Sequence, residues 1–322
     1  MKSSIFSALL ITAFISCPIL ATEKPTIRLG ILAFGTSNWE LAALEQQKLL
    51  ADAAFTLDIH KVATPQAAKI ALQAGAVDMI VTDWIWVSRM RGTGADVTFY
   101  PYSDVSGALM VANGSGIASL KDLSGKRLAI AGDELDKNWL LLQALAQQQK
   151  FDLNQHVKKT FAAPPLLNQQ LLQHHADAIL NHWHYAAQLE AQGYKQLLSG
   201  AQILQGLGIK SPMPNLGYVF KQSFAKQNSV ALNNFLKLTE QARNRMCTDD
   251  NAWQPIIPLL KTDDPKTQAL LHTRYCESRV KPLGNAEFAA AEQIYGLLRS
   301  VSGNKLTGEA TRIQAGTFWA NE

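Results

Sequence analysis

The chain of 322 residues is 47% hydrophobic and 17% charged, the proportions of a globular protein with room for about two domains. Its formal net charge of +4 is small for that length, and no run of five Lys or Arg occurs, which speaks against a nucleic-acid partner.

The N-terminus, MKSSIFSALLITAFISCPILATEKP, sets Lys2 before an apolar run over residues 5–15 and small residues up to Ala21. That is the layout of a secretory signal peptide cleaved after Ala21, and the run falls short of the roughly 20 apolar residues a membrane span needs. The expected address is the periplasm, and "FISC" around Cys17 is a poor lipid-attachment sequence. Without the leader only Cys247 and Cys276 remain. In an oxidising compartment they are disulfide candidates, with two buried free thiols as the alternative.

IRLGILAFG (27–35) reads as a strand ending in a glycine turn, and Ser37 with Glu40 reads as a capping box opening a helix. FTLDIHKV alternates like a strand, PQAAKIALQAG like a helix closed by glycine, and VDMIVT like a buried strand. The alternation resumes with ALMVANG, a short turn at SLKDLSGK, and RLAIAG. A helix follows with Asp136 as N-cap, then VKKTFA, PPLLNQQLLQHH and ADAILN as strand, helix, strand. LGYVF (216–220) is a further strand, and beyond residue 230 the pattern is helical. Such alternation predicts parallel sheets in an α/β fold.

The sequence carries an internal repeat. PQAAKIALQAGAVDMIVTDW (65–84) aligns without a gap on PPLLNQQLLQHHADAILNHW (164–183) at an offset of 99, matching Pro65 with Pro164, Leu72 with Leu171, Asp78 with Asp177 and Trp84 with Trp183. The shared order of helix, turn, Asp, buried strand and Trp predicts two similar lobes that each offer a strand end to a common cleft.

With that repeat, ALQAGAVDMIVTD, SGIASLKDLSGKRLAIAG and PPLLNQQLLQHHADAIL resemble the periplasmic solute-binding proteins of ABC importers, in particular the nitrate/sulfonate/taurine and thiamine-pyrimidine-precursor group. The resemblance implies an α/β, two-lobed type II periplasmic-binding-protein fold with a helical C-terminal region. It divides the chain into a leader (1–21), lobe 1 (22–107 and 214–322) and lobe 2 (108–213), with hinge crossings near 106–111 and 211–217. It also implies a monomer that closes on a small ligand and hands it to a membrane permease, without a cofactor.

Ligands in α/β sheets sit beyond the carboxyl ends of strands. That rule selects Thr36, Asn38 and Trp39, then Thr82, Asp83 and Trp84, then Asp133 and Asp136, then Asn181, His182 and Trp183, with Ser106 and Tyr218 near the crossings. Trp faces bind planar or cationic groups, and a desolvated Asp83 would orient a donor. Carboxylates at Asp83, Asp133, Glu134 and Asp136 would repel nitrate or sulfonate, so the expected ligand is planar or amine-bearing. The same four carboxylates leave open a receptor for a hard, Ca- or lanthanide-like cation. Asp83 and Asp136 also suit plain N-capping. His174 and His175 stand roughly 20 Å along a strand from His182 and His184, too far to share an ion. G-x-S-x-G, H-E-x-x-H and phosphate-loop motifs are all missing, so an exported enzyme on this fold is the weaker alternative.

Overall fold

The computed structural model describes residues 23–104, 106–280 and 282–320; the predicted leader and Cys17 lie outside the described residues. The first half-lobe runs β1 (Thr26–Leu32), α1 (Ser37–Gln46), β2 (Thr56–Val62), α2 (Pro65–Gln73), β3 (Met79–Thr82), α3 (Trp84–Arg91) and β4 (Val97–Ser103). The chain then crosses to β5 (Ala108–Val111), β6 (Arg127–Ala131), α4 (Lys137–Gln148), α5 (Leu153–His156), β7 (Lys158–Ala162), α6 (Pro164–Leu172), β8 (Ala178–Asn181), α7 (Trp183–Ala191), β9 (Lys195–Ser199) and α8 (Gly200–Gly206). It returns through β10 (Leu216–Lys221), α9 (Gln222–Gln227), α10 (Ser229–Thr248), α11 (Asp250–Trp253), α12 (Pro265–Glu277), α13 (Asn285–Ser302) and α14 (Asn304–Thr307).

Two five-stranded sheets result, ordered β2-β1-β3-β10-β4 and β7-β6-β8-β5-β9. Four strands of each sheet run parallel, and the strand that arrives across the lobe boundary, β10 or β5, runs against its neighbours. The sheets are therefore mixed where the alternation predicts parallel pairing, because each crossing strand enters from the opposite end. β3 and β8 are buried almost throughout, as their apolar runs require.

The repeat extends beyond the stretch in which it is visible. Pro65 and Pro164 occupy the first turns of α2 and α6, where a missing N–H costs nothing. Asp78 takes Arg28 in a fork, Nη2 to Oδ1 at 2.6 Å and Nε to Oδ2 at 2.9 Å, and also accepts the Arg28 backbone N–H. Asp177 does the same with Arg127, at 2.7 and 3.2 Å. Each fork ties the start of β1 or β6 to the turn before the sheet's central strand, β3 or β8, at the end away from the cleft.

The predicted capping box at Ser37 does not form. Thr36 is the N-cap of α1 with helical backbone angles and no side-chain cap bond, and Glu40 turns into the interior instead. The C-terminal helices explain why: α10, α11 and α12 wrap the α1 face and enclose Trp39, Trp253 and Tyr275 in one cluster. Cys247 of α10 and Cys276 of α12 form a disulfide, with Cα atoms 5.6 Å apart. α13 packs on α4 of lobe 2 and meets lobe 1 through Tyr295, stacked on Trp84 with centroids 6.5 Å apart. The final segment pairs with β4, Phe99 N donating to Thr317 O and Trp319 N to Phe99 O.

Candidate functional site

Between the lobes lies a narrow, nearly closed cleft. Lobe 1 supplies the floor: Thr36 after β1, Glu40 one turn into α1, and Tyr102 and Ser103 at the end of β4. Its C-terminal region supplies Arg243 from α10, Tyr275 from α12 and Ser278 and Arg279 just after α12, and lobe 2 supplies Trp183 as a lid. The strand-end rule thus holds for Thr36 and Trp183, while half of the wall comes from helices far along the chain. The disulfide sits one turn after Arg243 and next to Tyr275, so it fixes the two helices that carry that wall.

Glu40 is 2% exposed. Its Oε1 accepts the Tyr275 hydroxyl at 3.0 Å and its Oε2 the Tyr218 hydroxyl at 3.3 Å. Arg243 Nε stands 4.0 Å from Oε1. Burial pushes the carboxyl up, and Arg243 and the tyrosine hydroxyls only partly offset it, leaving a pKa of about 7. Arg243 is held charged: burial opposes its charge, but Glu40 together with Tyr218, Tyr275 and Tyr102 outweighs that. It also donates to Tyr102 O at 3.0 Å and lies over the Tyr102 ring at 5.3 Å. The Tyr102 hydroxyl is buried without a hydrogen-bond partner among the described residues. Arg279 is exposed at the rim. The cleft thus holds one guanidinium beside a carboxyl that is only partly ionised near neutral pH, and a second at its rim.

A second charged cluster joins the lobes. Asp83 caps α3 through Trp86 N at 2.9 Å and holds Lys137, the first residue of α4 in lobe 2, at 2.8 Å, with Lys69 at 3.9 Å. Burial raises the Asp83 pKa, but Lys137 and then Lys69 bring it down to about 2. Asp83 is therefore the helix cap, and its charge is matched from within the protein by Lys137. Lys69 also lies 5.3 Å from the Trp86 ring centroid. Across the boundary Trp39 meets Trp183 edge to face at 5.9 Å, and Arg274 of α12 meets Glu190 of α7 at 3.1 Å.

The remaining strand-end residues serve the framework. Trp84 is 1% exposed between Tyr295 and Phe318, so it belongs to the core and not to the cleft wall. Trp39 is 5% exposed and backs Trp183 from below. Asn38 Nδ2 staples the glycine turn through Leu32 O and Gly35 O. Thr82 is buried beside Asp83, and Asn181 bonds Pro164 O, Asn168 Oδ1 and His182 N. Asp136 caps α4 through Trp139 N, and Asp133 shapes the preceding turn through Leu135 N. His182 is the N-cap residue of α7 without a side-chain cap bond. Tyr218 reaches the site only through Glu40. Ser106 lines a separate cavity at the crossing, with Asn138, Gly200 and Asn215. Asp83, Asp133, Glu134 and Asp136 do not gather: among the described residues no three His, Cys, Asp or Glu groups could hold a metal ion.

Sequence reasoning passed over Glu40, Tyr102, Arg243, Tyr275 and Arg279. Glu40 read as a cap, and the others lie at a strand end, in ordinary amphipathic helices or, for Arg279, just after one.

A family model described as NMT1/THI5-like matches residues 41–251. No curated protein sequence matches the chain. Among solved structures the chain is similar to the periplasmic aliphatic sulphonate binding protein SsuA from Escherichia coli, at 19% identity over 91% of this chain and 98% of that one, with a TM-score of 0.68. It is similar to the alkanesulfonate-binding protein SsuA from Xanthomonas axonopodis pv. citri bound to MOPS, at 16% identity, 93% and 99% coverage and a TM-score of 0.67. A ligand-binding component of an ABC-type import system from Staphylococcus aureus with zinc bound aligns at 15% identity, 91% and 98% coverage and a TM-score of 0.65. These likenesses span both lobes and establish the two-lobed type II periplasmic-binding-protein fold.

Proposed function

The chain belongs to the NMT1/THI5-like family, and on that premise we propose that it is the substrate-binding receptor of an ABC importer. It acts in the periplasm as a monomer, closes its lobes on a small planar ligand and presents the closed form to a membrane permease. The observation that carries this is the cleft itself, floored by lobe 1 and lidded by Trp183 of lobe 2, so that a ligand there touches both lobes. Such a ligand stabilises closure by its differential contacts, and no covalent chemistry is required of the site.

The ligand is planar and acidic. Trp183, Tyr102 and Tyr275 offer aromatic surface, and Arg243 and Arg279 offer donors to a carboxylate or sulfonate. An amine on Asp83 is disfavoured because Lys137 and Lys69 already neutralise that carboxylate. The E. coli and X. axonopodis proteins bear sulfonate binding in their names, and this chain's ligand belongs to the same broad charge class. Thermal unfolding with benzenesulfonate, benzoate, benzylamine and uracil tests this, since a ligand that binds the folded state raises the Tm. The acidic pair should raise it, and Arg279→Ala should remove the shift. A shift with benzylamine alone sinks the reading, and conversion of a bound compound by the purified protein would make it an enzyme.

A further inference from the structure

Glu40 is an odd residue to find inside an acid-binding cleft. Its carboxyl is 2% exposed, lines the same space as Arg243 and Arg279, and stands where an acidic ligand would meet a like charge. Among the described residues the titratable groups that act on it are Tyr102 from β4, Tyr218 from β10, Arg243 from α10 and Tyr275 from α12. Arg279 follows at the rim, and lobe 2 contributes only Trp183, which does not titrate. We propose that Glu40 is a ligand-linked proton site: when an acidic ligand seats between the lobes, its carboxylate takes up one proton from solvent. The receptor then carries its ligand as anion plus proton.

The geometry allows this without breaking the cage. A hydroxyl group both donates and accepts, so Tyr275 can turn from donor to acceptor when Glu40 gains its proton, and the 3.0 Å contact persists in either state. Protonation also frees Arg243 from the charge 4.0 Å away, leaving its guanidinium to face the ligand. An incoming anion supplies the drive, because a second negative charge in a water-poor cleft favours the neutral carboxyl. Before the ligand arrives Glu40 titrates near pH 7, so the coupling falls in the neutral range.

The inference rests on the acidic-ligand reading, and the two can fail separately. Titration calorimetry of the wild-type protein with benzenesulfonate or benzoate, in buffers of different ionisation enthalpy, counts protons directly. Uptake should be about half a proton per ligand at pH 7 and approach one at pH 8, with affinity falling up to about tenfold per pH unit above 7. Glu40→Gln should abolish the uptake and leave affinity flat from pH 6 to 8.5. Binding with no uptake, with proton release, or with uptake that persists in Glu40→Gln overturns the proton link alone. No binding of either acid at pH 6 overturns the link together with the acidic-ligand reading. If the variant does not fold, the wild-type proton count decides.

Discussion

The two halves of the repeat share a backbone plan and part at the strand end that faces the lobe boundary. Arg28–Asp78 and Arg127–Asp177 form matching forks, and β3 and β8 end one residue before a helix N-cap. At that cap lobe 1 has Asp83 and lobe 2 has His182. One residue later Trp84 lies sealed in the core, whereas Trp183 is half-buried over the cleft. The difference comes from what covers each lobe. The returning chain lays α13 and the Phe318 segment over Trp84, whereas Trp183 packs only on one side, against Trp39 and the C-terminal cluster of lobe 1, and lines the cleft. A repeat therefore fixes where a tryptophan points out of the sheet, and a distant segment decides whether it becomes core or ligand surface.

Truncating the paired tryptophans should break this symmetry most sharply. Trp84→Ala empties a packed site and should cost about 3–5 kcal/mol in equilibrium denaturation. Trp183→Ala should cost far less stability but weaken benzenesulfonate binding about tenfold, the equivalent of about 1.4 kcal/mol. Equal stability losses at the two positions would mean that Trp183 is also core.

The disulfide exists only on the covered lobe. Cys247→Ala with Cys276→Ala should lower stability by about 3–4 kcal/mol on the chain-entropy model, for a sequence separation of 29. Because the bond fixes Arg243 and Tyr275, the same variant should also weaken ligand binding. Unchanged affinity would show that α10 and α12 hold the cleft wall without it.

Asp83 should show its role as a link between lobes through acid. Its pKa of about 2 lies below the unfolded value near 4, so its stabilisation is complete above pH 4 and is lost as pH falls toward 2. Asp83→Asn retains an acceptor for Trp86 N but loses the attraction to Lys137, and should cost about 2 kcal/mol at pH 7. Thermal unfolding of the two proteins should converge near pH 2, and a gap that persists there would assign the loss to packing.

The sequence discloses what periodicity can disclose. Strands β1, β3, β6 and β8, the helices between them, the caps at Asp83 and Asp136 and the repeat all follow from local pattern and turn chemistry. The cleft wall does not, because Arg243 and Tyr275 belong to helices whose composition is that of any solvated surface and Arg279 to the segment just after one. They acquire meaning only when β10 carries the chain back to lobe 1 and stacks those helices on α1. Glu40 was hidden for the opposite reason, since S-N-W-E fits a common local motif that tertiary packing overrides. The neutralisation of Asp83 was hidden in the same way, since only the fold brings Lys69 and Lys137 together on its carboxylate.

His182 offers the finest test of how far the two caps have diverged. In lobe 1 the third N–H of the helix, at Trp86, bonds the Asp83 side chain. In lobe 2 the equivalent N–H, at Tyr185, reaches only the His182 carbonyl at 3.1 Å. His182→Asn supplies the missing acceptor without adding charge beside Asp136, and should stabilise by about 0.5–1 kcal/mol. Burial lowers the His182 pKa, with Asp136 pulling the other way and Lys137 reinforcing the fall. The folded protein therefore resists a proton that the unfolded chain accepts, and its stability declines as pH drops below about 6.5. The asparagine variant should lose that contribution to the slope, so its advantage over wild type should widen between pH 7 and pH 5. An advantage that stays constant across that interval would mean that His182 shapes the helix start and carries no pH dependence of its own.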